Sequence, residues 1–131
     1  RVAAGEYVVI AGDRTPVTDS QRNSDVQFLG HPPPLPQGAV ILAGLLQCPM
    51  YLMFCLKQQQ RYHVYLEPFA DAQRLPRRDR EQWIDGQVQR YAHRLEHYCS
   101  VAPLQWFNFY PFWNDNECAS TEVTSSGTGS P

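Results

Sequence analysis

Apolar residues along this chain fall into runs of distinct period, and each run predicts an element. Residues 6–12, EYVVIAG, are continuously apolar and close on glycine, the pattern of a strand covered on both faces. Residues 13–24 are polar and contain a proline, which makes them a loop. VQFLG at 26–30 predicts a second short strand. HPPPLP at 31–36 excludes helix and inner strand, because proline lacks a backbone donor and fixes φ. QGAVILAGLLQ at 37–47 is apolar nearly all round, which describes a helix that is buried or lies against lipid, and it is too short to span a bilayer. The runs 50–57 and 61–68 flank QQQ, and Tyr62, Val64 and Leu66 alternate strictly, so a hairpin with a three-residue turn is expected.

Pro76 marks the start of a long helix, with Asp79 and Glu81 in the first turn where the helix dipole favours acids. At ~100° per residue its apolar stripe runs Ile84, Val88, Tyr91, Leu95, Cys99, Ala102. The helix continues to about Val101, and Pro103 ends it. An irregular aromatic segment follows, LQWFNFYPFW at 104–113. From Asn114 the chain has almost nothing to bury, so 114–131 are expected to form a disordered tail. The order strand, strand, helix, hairpin, helix defines an α/β class, a mixed β-sheet with helices packed on it, in one domain over 1–113.

A net charge of −2 removes the positive footprint of a nucleic-acid binder. The four cysteines lack the close, regular spacing of a zinc ribbon or disulfide scaffold, so reduced thiols are expected. The apolar run at 6–12 begins so soon after Arg1 that a fragment of a longer protein is expected, whose missing N-terminal part carries any membrane anchor.

HRLEH at 93–97 spells H-x-x-E-H, one zinc-peptidase spacing. The apolar stripe turns His93 and His97 toward water, and the later carboxylates Asp115, Glu117 and Glu122 lie in or beside the tail. A solvated helix face with His–Glu–Arg pairs is the better reading, and no metal site is expected. Asp13 and Arg14 follow the 6–12 strand directly. They are either a ligand-holding pair at a strand's carboxyl end, with Arg14 suited to a phosphate or carboxylate, or a plain turn. The 37–47 helix either walls a groove for a hydrocarbon chain or fills the core. The aromatic segment either seals the core or meets a membrane interface. His31 reads as a loop residue and His63 as a polar-face residue.

Taken in order, AAGEYVVIAGDRTPV, VQFLGHPPPLPQGAVILAGLLQCPMYLMFCL, RYHVYLEPF and VQRYAHRLEHYCSVAPLQWFNFYPFW resemble the C-terminal half of bacterial lipid A biosynthesis acyltransferases, the lauroyl/myristoyl transferases of the lysophospholipid acyltransferase superfamily. The branch associated with aryl-polyene pigment clusters is the most similar. The resemblance implies a partial acyltransferase fold and an enzyme that moves a fatty acyl group from acyl carrier protein or coenzyme A to a hydroxyl of a lipid or glycolipid. It also implies the cytoplasmic face of the bacterial inner membrane, with no cofactor. The family's base is the His of H-x-x-x-x-D/E. Five residues after His31, His63, His93 and His97 stand Pro36, Pro68, Tyr98 and Ala102, so the catalytic His is expected upstream and the chain alone inactive. Asp13 matches the family's acid, with Arg14 beside it as auxiliary residue. Phe28, Leu29, Pro36, Gly38 and Leu42 match its acyl-pocket segment. Many family members end on a basic stretch where this chain has FYPFW, which argues against a diphosphorylated sugar as acceptor. A non-catalytic lipid- or partner-binding module is the alternative.

Overall fold

The structure, a computed structural model, describes residues 4–14, 22–71, 76–109 and 112–113. Its elements are β1 (Asn23–Asp25), β2 (Pro34–Pro36), α1 (Gly38–Leu46), β3 (Met50–Gln58), β4 (Arg61–Ala70), α2 (Arg80–Val101) and a 3-10 turn (Pro103–Gln105). The mixed α/β class stands, with its strands divided between two antiparallel pairs, β1–β2 and β3–β4. The expected tail at 114–131 lies outside the described residues.

The core forms around α2. Ile84, Val88, Ala92, Leu95 and Cys99 are buried along one stripe, and Val26, Phe28, Leu35, Val40 and Phe112 pack onto it. The stripe agrees with the helical spacing, Tyr91 and Ala102 being half-buried at its margin. The helix begins later than Pro76 suggests. Residues 77–79 form a turn in which Asp79 N–H donates to the Pro76 carbonyl, and Asp79 immediately precedes the helix without a side-chain capping bond.

β1 and β2 pair Ser24 with Leu35, which is fully buried between Pro34 and Pro36. A two-stranded sheet has only edges, so two prolines in one strand remove no inner ladder bond. VQFLG is not the expected strand: β1 ends at Asp25, inside the stretch expected as loop, and 26–30 lead into a tight reversal in which Phe28 and His31 exchange both backbone hydrogen bonds, at 3.0 and 3.1 Å. Leu29 and Gly30 take φ of 50° and 82° there. Gly30 accepts this freely and Leu29 does so under strain.

Helix α1 buries Val40 and Ala43, while Leu45 and Leu46 face outward, so it is core on one side only. The β3–β4 turn has two residues rather than three. Gln58 pairs with Arg61, and Gln59 and Gln60 carry the positive φ values of a two-residue hairpin turn.

The first expected strand is absent as well. Residues 6–11 form no strand, and Tyr7 and Val9 are 93% and 80% exposed. A strand needs a hydrogen-bonding neighbour, and neither described sheet supplies one to this segment. On β4 the alternating Tyr62, Val64 and Leu66 are exposed. They point away from α2, which is met instead by Phe54, Tyr65, Glu67 and Phe69.

A polar clamp holds the hairpin to α2. Arg94 grips Glu67 with two hydrogen bonds, Nε–Oε2 at 2.9 Å and a terminal nitrogen to Oε1 at 2.6 Å. The Tyr98 hydroxyl donates to the same Oε1 at 2.5 Å, and its ring stacks on Phe54. The Arg94 bonds, with help from Tyr98, lower the Glu67 pKa, whereas burial raises that of Tyr98 and keeps its donor in place. A lowered folded-state pKa means full stabilisation above the ordinary glutamate value, about 4.3, and loss as pH falls through the lowered value. We expect acid titration of denaturant stability to drop in that window. Glu67→Gln should flatten the drop, and Arg94→Ala should cost about 1 kcal/mol at pH 7, since the pair is partly exposed.

Candidate functional site

The 12–14 turn is the place where chemistry-bearing residues gather. Gly12 passes so close to α2 that a Cβ there would lie 2.9 Å from both Cζ and the hydroxyl of Tyr91, so a larger residue would have to displace the end of the Tyr91 ring. The next two residues are held by the aromatic segment, 93 positions away. Trp106 Nε1 donates to Asp13 Oδ2 at 3.2 Å, and Arg14 donates to the Phe107 carbonyl at 3.0 Å. Arg14 Nε also lies 3.8 Å from Asp13 Oδ1. An acid and a guanidinium are therefore presented side by side, each oriented by a residue beyond Pro103.

Beneath them, Phe28 is fully buried and meets Trp106 and Phe112 edge-to-face, with ring centroids 5.3 and 5.8 Å apart. Trp113 stacks on the same ring and reaches His31, whose ring stands edge-on to it at 6.3 Å. The aromatic segment thus divides its residues. Trp106, Phe112 and Trp113 turn inward, while Phe107 and Phe109 turn outward.

Burial, together with the nearby carboxylates of Asp13 and Glu96, pushes the Cys99 thiol up to about 11. At neutral pH it is a protonated core residue and no nucleophile. The two histidines of H-x-x-E-H are exposed, as the helical spacing predicted. His93 bonds to Gln89, and His97 stands edge-on to Tyr98. No group of three His, Cys, Asp or Glu side chains suited to a metal ion occurs among the described residues. His63 is exposed near the hairpin tip, cross-strand from Leu56.

The residues matched to an acyl pocket differ in exposure. Phe28 sits in the core, Leu29 is exposed on the strained turn, Pro36 and Leu42 are half-buried, and Gly38 is exposed with open space beside it. Asp13 and Arg14 were expected after a strand end. They occupy a turn instead, because 6–11 pairs with no described strand.

A hollow of about 280 Å³ lies elsewhere, between the β3–β4 hairpin and the start of α2, bounded by Tyr51, Phe69, Asp71, Trp83 and Arg90. Arg90 is spoken for there. It donates to Gln87 Oε1 and the Phe69 carbonyl and lies over the Phe69 ring. Neither Asp13 nor Arg14 borders this hollow. Trp106 and Tyr91 are the site residues that pattern reading missed. Tyr91 lies on the helical stripe, but nothing local to Trp106 signals a partner 93 residues away.

No protein-family model, curated protein or solved structure matches this chain.

Trp106→Phe keeps a ring of similar shape and removes the N–H bond to Asp13. A double-mutant cycle of Trp106→Phe with Asp13→Ala should give a coupling of about 1 kcal/mol in chemical denaturation, and zero coupling would show that the bond does not hold the turn.

Proposed function

We propose that residues 1–113 form the C-terminal part of a membrane-associated acyltransferase, which moves a fatty acyl group from acyl carrier protein or coenzyme A to a hydroxyl of a lipid or glycoconjugate. The observation that carries this reading is convergence. The stretches on which the acyltransferase resemblance rests, GDR at 12–14, Phe28 and the aromatic segment from Trp106, are remote in sequence and meet at one place.

The chemistry needs a base on the acceptor hydroxyl, attack on the thioester carbonyl, donors for the resulting oxyanion, and departure of the thiolate. No histidine of this chain carries the family's H-x-x-x-x-D/E spacing, so the base comes from outside these residues. Arg14 and Asp13 fit an auxiliary part: a guanidinium for an anionic group of donor or acceptor, and a carboxylate that orients it.

The outward face of β3–β4 also supports a larger α/β body. Tyr51, Met53, Val64 and Leu66 are exposed together, as in a sheet built for a covering layer on each side. A non-catalytic partner-binding module would show the same face, so activity has to separate the two readings.

Two measurements do so. The 131-residue chain given acyl carrier protein thioester should release no thiol above buffer background, and robust turnover would refute the external base. Mass spectrometry of lipids from cells with and without the gene should show one acylated species lost on deletion. Restoring the gene with Asp13→Ala should leave that species depleted about tenfold or more. An unchanged lipid profile on deletion would overturn the acyltransferase reading.

A further inference from the structure

Two indoles pack on Phe28, and they differ in what their N–H groups do. Trp106 and Trp113 meet its ring at centroid distances of 5.3 and 6.2 Å, and both also touch Phe112. Trp106 Nε1 donates to Asp13 Oδ2 at 3.2 Å. Trp113 Nε1 is buried and has no hydrogen-bond partner among the described residues. One aromatic cluster thus carries two indole donors, and the turn at 12–14 takes that of Trp106.

This bond decides how the turn presents its charges. The Asp13 side chain is only 22% exposed, so an ordered donor on Oδ2 replaces water and fixes the carboxylate plane. Oδ1 is left toward Arg14, 3.8 Å from its Nε, while the Phe107 carbonyl takes a terminal nitrogen of the same guanidinium. Trp106 cannot follow a moving acid, since Phe28, Phe112 and Trp113 meet its ring edge-to-face at 5.3, 5.1 and 6.2 Å. From the opposite side the turn rests on α2. Gly12 lies against the end of the Tyr91 ring, and the Asp13 carboxylate is close enough to Cys99 to help raise its thiol.

We infer that Trp106 is a positioning residue of the acid–guanidinium pair: its indole N–H sets the Asp13 carboxylate, Asp13 and the Phe107 carbonyl aim Arg14, and acyl transfer depends on that bond beyond the packing of the ring. The inference rests on the acyltransferase reading proposed above and adds to it a residue that acts through Asp13. Misplacing such a group by about 1 Å costs on the order of 10²-fold in rate, so a lost bond that lets the pair turn is readable in product.

The test makes the same substitution at both indoles. In cells lacking the gene, restoring it with Trp106→Phe should leave the acylated lipid species about tenfold or more below the parent level at matched protein abundance. Trp113→Phe perturbs the same cluster but releases no carboxylate, and it should restore the species to near the parent level. Asp13→Ala should match Trp106→Phe, and Trp106→Phe/Asp13→Ala should fall no lower than Asp13→Ala alone. A purely packing role would instead lower product equally at both indoles and multiply with Asp13→Ala. In the 131-residue chain, the indole N–H proton resonance that Trp106→Phe removes should move upfield in Asp13→Ala, as loss of a hydrogen bond requires.

Parent-level product in Trp106→Phe would overturn the proposal. So would equal loss in Trp113→Phe, a multiplicative double variant, or an indole resonance indifferent to Asp13. A lipid profile unchanged by deletion of the gene sinks the acyltransferase reading and this role with it, whereas a changed profile with an indifferent Trp106→Phe sinks this role alone.

Discussion

Everything described here depends on one apolar stripe of α2 finding enough cover. A 22-residue helix of this length is not held by intrinsic propensity, since most helical stability in proteins comes from packing an apolar face. That cover comes from sequence-distant sources: the β1–β2 hairpin through Val26, Phe28 and Leu35, helix α1 through Val40, and the aromatic segment through Phe112. Phe28 is the common member. A fully buried phenylalanine contributes roughly 2–3 kcal/mol, and each well-oriented aromatic pair adds about 1 kcal/mol. Because Trp106 packs on Phe28, its indole nitrogen stands where it can hold Asp13. The site is thus a consequence of how the core is closed.

The β3–β4 hairpin joins this core by a different principle. Its inner face combines Phe54 and Phe69 with a salt-bridged Glu67, so polar and apolar contacts share the work. Glutamine side chains do something similar at strand edges. Gln89 accepts from the backbone N–H of Gln27 and donates to its carbonyl, as a neighbouring strand would, and Gln105 does the same at Lys57. Each pairing satisfies two backbone groups without a further strand and fixes one segment against another. The second of these also ties the aromatic segment to the β3–β4 sheet.

What could be read from the sequence follows from the range of the interactions involved. The hairpin and the helical stripe rest on periodicities that local geometry enforces, and both appear where expected, although the hairpin turn is a residue shorter. Pro76 misled because proline suits a helix start and an ordinary turn equally well, and the Asp79–Pro76 bond chose the turn. EYVVIAG misled for a deeper reason. Continuous apolarity reports how a segment is to be covered, not what covers it, and a strand exists only with a partner. Tyr62, Val64 and Leu66 teach the same lesson. Alternation correctly identified the strand but could not say which face meets α2, because both faces carry apolar residues and the inner one also carries Glu67. The Asp13–Trp106 contact was beyond pattern reading altogether, since nothing local encodes a pairing across 93 residues.

The aromatic segment shows how one stretch can serve two solvents. After the 3-10 turn at Pro103–Gln105 the backbone becomes extended at Trp106, so successive side chains point to opposite sides. Trp106 turns inward to the core and Phe107 outward, and the carbonyl of the outward residue is the group that Arg14 holds. A continued helix would have set Trp106 and Phe107 only about 100° apart and left that carbonyl bonded within the helix. Ending the helix at Pro103 therefore both seals Phe28 and frees a backbone acceptor for the guanidinium. The acid–guanidinium pair and the exposed aromatics are two results of the same helix stop, which is why they lie side by side.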